Sequence, residues 1–204
     1  MLSPTVSLIL KAPREGLVKT RLAKEVGFRE ATRAYRGLVE HQLAQIPGGW
    51  PVRVHFTPDD AQSEMAAWLG CAHCYTPQWD GDLGQRLAGA LRAHFASAAG
   101  PVIFLGGDCP YLTAARLLAV AAMLAEVEAV MVPACDGGYC LLALSRPVER
   151  VFESIPWSTD RVAAETRERL RESGISWSES EVLEDVDDRA SWERAVQMFP
   201  ALGA

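Results

Sequence analysis

Two kinds of charged residue gather in short segments of this chain, each next to an apolar run. The first is basic. Residues 11–25 read KAPREGLVKTRLAKE and follow TVSLIL; Lys11, Arg14, Lys19 and Arg21 lie around one proline, Pro13, and one glycine, Gly16. An arginine offers a planar fork of donors and a lysine a compact point charge, so in an irregular loop the four can converge on a di- or triphosphate. Gly16 lets the backbone bend close to a ligand, and Pro13 stiffens the turn. The competing reading is a solvated basic loop, and the charges alone do not decide between them. Spacing does exclude two known phosphate loops. Lys19-Thr20 ends like a Walker loop, but the glycine before the lysine is replaced by Val18, and no G-x-G-x-x-G occurs.

The second kind is acidic. In FLGGDCPYL, Asp108 follows Gly106 and Gly107 at the end of an apolar run. A carboxylate there suits Mg²⁺ or Mn²⁺, which takes one or two carboxylates together with phosphate oxygens. Asp108 could instead cap the next helix, but Thr113 is better placed for that. In PACDGGYCLLAL, Asp136-Gly137-Gly138 reads either as a hairpin turn or as an acidic turn that opens space for a substrate. In LEDVDDRASWERA, Asp185, Asp187 and Asp188 precede a helical pattern. One helix cap accounts for one aspartate and leaves a metal carboxylate among the others. In IPWSTDRV, Ser158 or Thr159 can cap a helix, and Trp157 is either core or a pocket wall.

The segments between these motifs alternate in period. Strands are expected at 5–10, 52–56, 72–76, 101–107, 128–132, 139–144 and 176–183, the last at an edge. Helices are expected from Phe28 to Leu43, over 61–69, from Leu83 to Phe95, and over 113–125, 159–172 and 189–199. The alternation implies an α/β fold, with a mostly parallel sheet and helices on both faces, in a single domain spanning 1–204. In such sheets ligands collect beyond the carboxyl ends of the strands. The loops at 11–21, 106–110 and 133–138, which hold the unusual residues, follow strands.

Composition limits the partners. A net charge of −6 argues against a general nucleic-acid surface, so any anion site must be local. No apolar run reaches the roughly 18 residues of a membrane span, and no signal-peptide pattern opens the chain. Five irregularly spaced cysteines fit a reducing cytoplasm. Cys71, His73 and Cys74 lack the second pair of ligands that structural zinc requires. No Ser-His-Asp or Cys-His set has local support.

The ordered set KAPREGLVKTRLA, PQWDGDLGQRL, FLGGDCPYL, PACDGGYCLLAL, PWST and EDVDD resembles a family of bacterial glycosyltransferase-A-like proteins, the radical-SAM/selenodomain-associated transferases. It is more distantly similar to the 2-phospho-L-lactate guanylyltransferases and the molybdenum-cofactor nucleotidyltransferases. The resemblance runs from about residue 6 to residue 195. It implies the nucleotide-diphospho-sugar transferase fold, a doubly wound, mostly parallel sheet. It implies a first loop, with Lys11, Pro13, Gly16, Lys19 and Arg21, that grips nucleotide phosphates, with Lys19 and Arg21 acting in catalysis. Asp108 corresponds to the metal-binding aspartate, with Asp187 as a second ligand for Mg²⁺ or Mn²⁺. Gly107 lies beside Asp108, and Asp136, Gly137 and Gly138 shape the acceptor side. Gly84 and Arg86 are expected beside the nucleotide or the donated group. The implied activity is glycosyl or nucleotidyl transfer from a nucleotide-sugar or NTP to a small acceptor. The alternative is an inactive nucleotide-binding module of the same fold.

Overall fold

The computed structural model describes residues 3–97 and 100–203. Seven strands form one sheet: β1 (Thr5–Lys11), β2 (Val52–Thr57), β3 (Cys74–Pro77), β4 (Val102–Leu105), β5 (Ala129–Pro133), β6 (Tyr139–Leu144) and β7 (Trp177–Glu179). Their order is β3-β2-β1-β4-β6-β5-β7. All but β6 run in one direction, and β6 pairs antiparallel with both β4 and β5. The sheet is therefore mixed but mostly parallel, as the alternation implies.

The helices are α1 (Thr20–Val26), α2 (Phe28–Ala44), α3 (Gln62–Leu69), α4 (Leu83–Ser97), α5 (Ala114–Met123), α6 (Val162–Glu172) and α7 (Arg189–Met198). They cover both faces. On one, Val6, Leu8 and Leu10 of β1 and Ile103 and Leu105 of β4 pack with Tyr35, Val39, Met65 and Leu117. On the other, Val102, Phe104, Leu142 and Leu144 pack with Leu87 and Leu91 of α4 and Leu170 of α6. The two sets of β4 residues alternate, so each face of that strand is buried by a different helix layer.

Several boundaries differ from the sequence reading, for local reasons. The loop at 11–21 is shorter than expected, because α1 begins at Thr20 and places Arg21 in its first turn. Strand β3 covers 74–77 rather than 72–76. Helix α6 begins at Val162 rather than 159, after a turn that the Thr159 hydroxyl closes by donating to the Pro156 carbonyl at 2.7 Å. Its N-cap is Arg161 with no side-chain cap; Thr159 instead accepts from the Arg161 N–H at 3.3 Å. Strand β7 keeps only 177–179 of the expected 176–183; beyond it Leu183 makes an isolated parallel bridge with Ala134. Phe28, included in the apolar stripe of α2, is exposed at the helix start. Thr113 caps α5 as expected, accepting from Arg116 N at 3.4 Å.

Gly84 in the first turn of α4 is a packing residue. A Cβ there would come within 2.4 Å of the Phe152 carbonyl oxygen and 2.8 Å of Trp157 Nε1. Ala normally gains about 1 kcal/mol over Gly in a helix. Here the contact is with backbone that cannot rotate away, and overpacking costs roughly 1–3 kcal/mol, so the steric cost wins. Gly84→Ala is expected to lower the melting temperature by several degrees, roughly 2–4 °C per kcal/mol in a chain of this length. A thermal melt that rises instead would refute this packing role.

Candidate active site

The acidic segments meet through backbone pairing. After β5 the chain turns through Ala134–Gly138, where Gly137 N–H donates to the Ala134 carbonyl and Ala134 N–H to that of Gly138. Gly137 has φ +89°, the left-handed region such a turn needs. The hairpin reading of Asp136-Gly137 is thus correct, and the turn also faces the site. The 183–186 segment runs alongside. Leu183 N–H donates to the Pro133 carbonyl, Cys135 N–H to that of Leu183, and Val186 N–H to that of Asp108, each at 2.9 Å. Those three bonds tie the β4, β5 and C-terminal segments together and bring Asp108, Asp136, Asp185 and Asp187 to one end of the sheet.

Carboxylate oxygens of Asp136, Asp185 and Asp187 all lie within 4.8 Å of one another. Among the described residues this is the single His, Cys, Asp or Glu group with metal-ligand spacing. Asp108 is not in that group, and Lys19 joins it to Asp187. The Lys19 Nζ lies 3.5 Å from Asp108 Oδ2 and 3.5 Å from Asp187 Oδ1. The expected ligand pair of Asp108 and Asp187 is therefore bridged by an ammonium, and the metal-spaced carboxylates are Asp136, Asp185 and Asp187. Asp188 has the structural role: its side chain accepts from Ser191 N–H at 2.8 Å and caps α7.

The basic loop divides. Lys19 is the N-cap of α1 with φ +44° and a side chain only 7% exposed. Left-handed backbone costs a non-glycine residue about 1–2 kcal/mol. Attraction to one carboxylate at this range is worth about 4 kcal/mol at an effective dielectric near 20, less once the half-exposed carboxylates are screened. Two such carboxylates hold the lysine in place. Arg21 reaches Asp187 Oδ2 at 2.8 Å and is otherwise exposed. Lys11 ends β1 on the cavity wall. Its backbone N–H donates to the Tyr35 hydroxyl, which donates in turn to the Lys11 carbonyl. Arg14 points elsewhere, pairing with Glu64 at 3.0 Å and Asp60 at 3.1 Å. Pro13 and Gly16 do not line the cavity; Gly16, at φ +81°, shapes the turn.

These groups line a cavity of about 690 Å³ that takes in Lys19, Arg21, Gly107, Asp108, Asp136, Gly138, Asp185 and Asp187. It opens beyond the carboxyl ends of the neighbouring strands β1 and β4, where the chain leaves β1 toward β2 on one side and β4 toward β5 on the other, the usual ligand position in such folds. Gly107 lies on this wall but is small for packing reasons, since a Cβ would come within 2.4 Å of Val39 Cγ2. Arg86 is not on the cavity wall. It bonds the Gly81 carbonyl and Gln78, and Gln78 bonds the carbonyls of Leu10 and His55. The 78–86 segment is thus a brace for the ends of β1 and β2. Tyr139, Asp160 and Asp185 also line the cavity. Sequence reasoning did not single out the first two, and left the third undivided from its neighbours. Cys71, His73 and Cys74 form no metal group, and both cysteines are exposed.

The sheet and this crevice define the nucleotide-diphospho-sugar transferase fold. The chain belongs to a family described as uncharacterized proteins conserved in bacteria (DUF2064), which it matches over residues 41–159. It is similar to a proposed nucleotide-diphospho-sugar transferase from Desulfovibrio desulfuricans G20, with TM-score 0.86 and 27% identity over 98% of this chain and 97% of that one. It shares the fold of CMP:2-keto-3-deoxy-manno-octonic acid synthetase solved with CTP, with TM-score 0.62 and 15% identity over 98% and 99% of the two chains. It shares it also with a Mycobacterium tuberculosis H37Rv protein solved with manganese, with TM-score 0.57 and 19% identity over 96% and 99%. No curated protein matches the chain. Among the described residues, no helix is long and apolar enough to cross a membrane.

Burial, and then the charges of Asp108, Asp136 and Asp187, push the Asp185 carboxyl up from 3.8 to about 6. Between those values the unfolded chain loses this proton while the folded chain keeps it, so Asp185 lowers stability as pH rises through about 4 to 6. Asp185→Asn removes the penalty. It should raise the melting temperature at pH 7.5 without added metal by about 2–4 °C, allowing for solvent screening of a partly exposed group, and change little at pH 3.5. Equal effects at both pH values would contradict the crowding of these carboxylates.

Proposed function

We propose that the protein is a metal-dependent transferase that takes a nucleotide donor and passes a glycosyl or nucleotidyl group to a small acceptor. The observation that carries this reading is the carboxylate trio facing Lys19 and Arg21 across one cavity. Five carboxylates (Asp160 included) face three cations (Lys11 included) on its wall, which leaves a negative surplus suited to a divalent ion. The oxygen-only donor set fits Mg²⁺ or Mn²⁺, which would supply Lewis-acid charge neutralisation to a bound phosphate. Asp136, Asp185 and Asp187 would hold the ion. Lys19 and Arg21 would meet the phosphate oxygens and exchange their carboxylate contacts for them. Asp108, paired to Lys19, orients that ammonium. The acceptor brings its own nucleophile, so catalysis rests on positioning and electrostatics.

The close likeness to a proposed nucleotide-diphospho-sugar transferase favours glycosyl transfer. The CTP-bound relative of the same fold keeps nucleotidyl transfer as the second reading. Release of a nucleoside diphosphate from a nucleotide-sugar indicates the first; metal-dependent release of pyrophosphate from an NTP with a phosphorylated acceptor indicates the second.

Thermal-shift titration with NTPs and nucleotide-sugars should show stabilisation that requires Mg²⁺ or Mn²⁺. Asp187→Asn should abolish the metal requirement together with the shift. Arg21→Ala should lower turnover by roughly 10²–10³-fold, the usual cost of losing one group that stabilises developing charge. No shift with any nucleotide in either metal would sink the proposal.

A further inference from the structure

The cavity divides by chemistry. Besides the charged groups, its wall includes an uncharged set, Leu83, Leu87, Phe104, Tyr139, Trp157 and Val162. A phosphate and its metal ion do not need that surface.

The wall is built rather than incidental. Gly84 leaves the space that the Trp157 indole uses, since a Cβ there would approach Nε1 to 2.8 Å. Tyr139 meets Trp157 edge to face, with ring centroids 6.3 Å apart and planes at 75°. Ser158, next in the chain, is held at φ +65°, a conformation a non-glycine residue keeps only when its surroundings force it. The same segment is clamped to the acidic turn. Ala163 N–H donates to the Gly137 carbonyl at 2.8 Å, and a Cβ on Gly137 would lie 2.2 Å from the Asp160 carbonyl oxygen. Trp157 is therefore fixed relative to Asp136, a member of the carboxylate trio. Ser158 and Asp160 line the cavity on the same segment.

We infer that this wall is a subsite for a sugar ring attached to the metal-bridged phosphate, with Trp157 as its specificity-determining residue. A sugar ring presents C–H bonds on its face and hydroxyls at its edge, so it calls for an aromatic plane flanked by polar groups. Trp157 supplies the plane, and Ser158 and Asp160 the polar flank. A nucleobase would also stack on an indole, but it stands one ribose further from the phosphates. The clamp onto the Asp136 turn sets this wall beside the carboxylate trio, where a group attached to a phosphate held at the trio would lie. The inference rests on the metal–nucleotide reading above.

Calorimetric titration in MgCl₂ tests it, using ADP, CDP, GDP and UDP and the glucose conjugate of each. For the accepted base, the wild-type protein should bind the conjugate about five- to tenfold more tightly than the diphosphate, in line with one aromatic stacking contact. Trp157→Leu should bring the conjugate down to the affinity of the diphosphate while leaving the diphosphate within about twofold. Trp157→Phe should keep most of the preference. Asp160→Asn, an exposed change that folding tolerates, should also lower the conjugate-to-diphosphate ratio. Equal losses for both ligands in Trp157→Leu would assign the wall to the nucleoside, base or ribose, and overturn the inference. So would an absent glucose preference in the wild type, or an unchanged ratio in Asp160→Asn. If no diphosphate binds, the metal–nucleotide reading fails, and this subsite with it.

Discussion

Lys19 is the charge that lets four carboxylates share one end of the sheet. Its ammonium lies 3.5 Å from both Asp108 and Asp187, almost out of solvent, on a backbone held in the left-handed region. Without it, the Asp108 loop and the Asp187 segment would face each other as like charges across a hydrogen bond between Asp108 and Val186. Even with it the balance is incomplete. Asp185, which is not paired with the lysine, holds its proton to about pH 6, because burial and its three neighbours disfavour its charge. The fold thus maintains a local negative surplus, which a ligand or ion can relieve.

The rest of the architecture serves that arrangement. Reversing β6 against its parallel neighbours makes a tight turn at 134–138 and brings Asp136 back to the sheet end where β1 and β4 finish. The extended 183–186 segment follows that turn in parallel and delivers Asp185 and Asp187 beside it. Gly137 allows the turn to press against the Asp160 backbone, and Gly84 allows Trp157 to lie against α4. Acidic turn, indole wall and basic helix start are therefore parts of one rigid edge.

Much of this was legible in the sequence. Strand and helix periodicity located nearly all the elements, and the position of Asp108, Asp136 and the 185–188 run after strands placed them at one end. What was not legible depends on side-chain direction and partner choice. Arg14 and Arg21 are indistinguishable as loop cations, yet Glu64 and Asp60 capture one and Asp187 the other. Asp185, Asp187 and Asp188 look equivalent, but Ser191 at the third position of α7 takes Asp188 for the helix cap. Gly84 and Arg86 read as ligand-side residues and instead pack and brace, because a glycine that admits a ligand and one that admits an indole look alike in sequence. Asp160 carried no signal apart from its neighbourhood to Trp157.

The most direct test of the central claim is anomalous X-ray diffraction at the manganese edge, from crystals soaked in MnCl₂ and pyrophosphate. The account predicts a manganese peak among Asp136, Asp185 and Asp187, with pyrophosphate oxygens facing Lys19 and Arg21. A peak away from these carboxylates, or pyrophosphate bound at another surface with the trio empty, would contradict it.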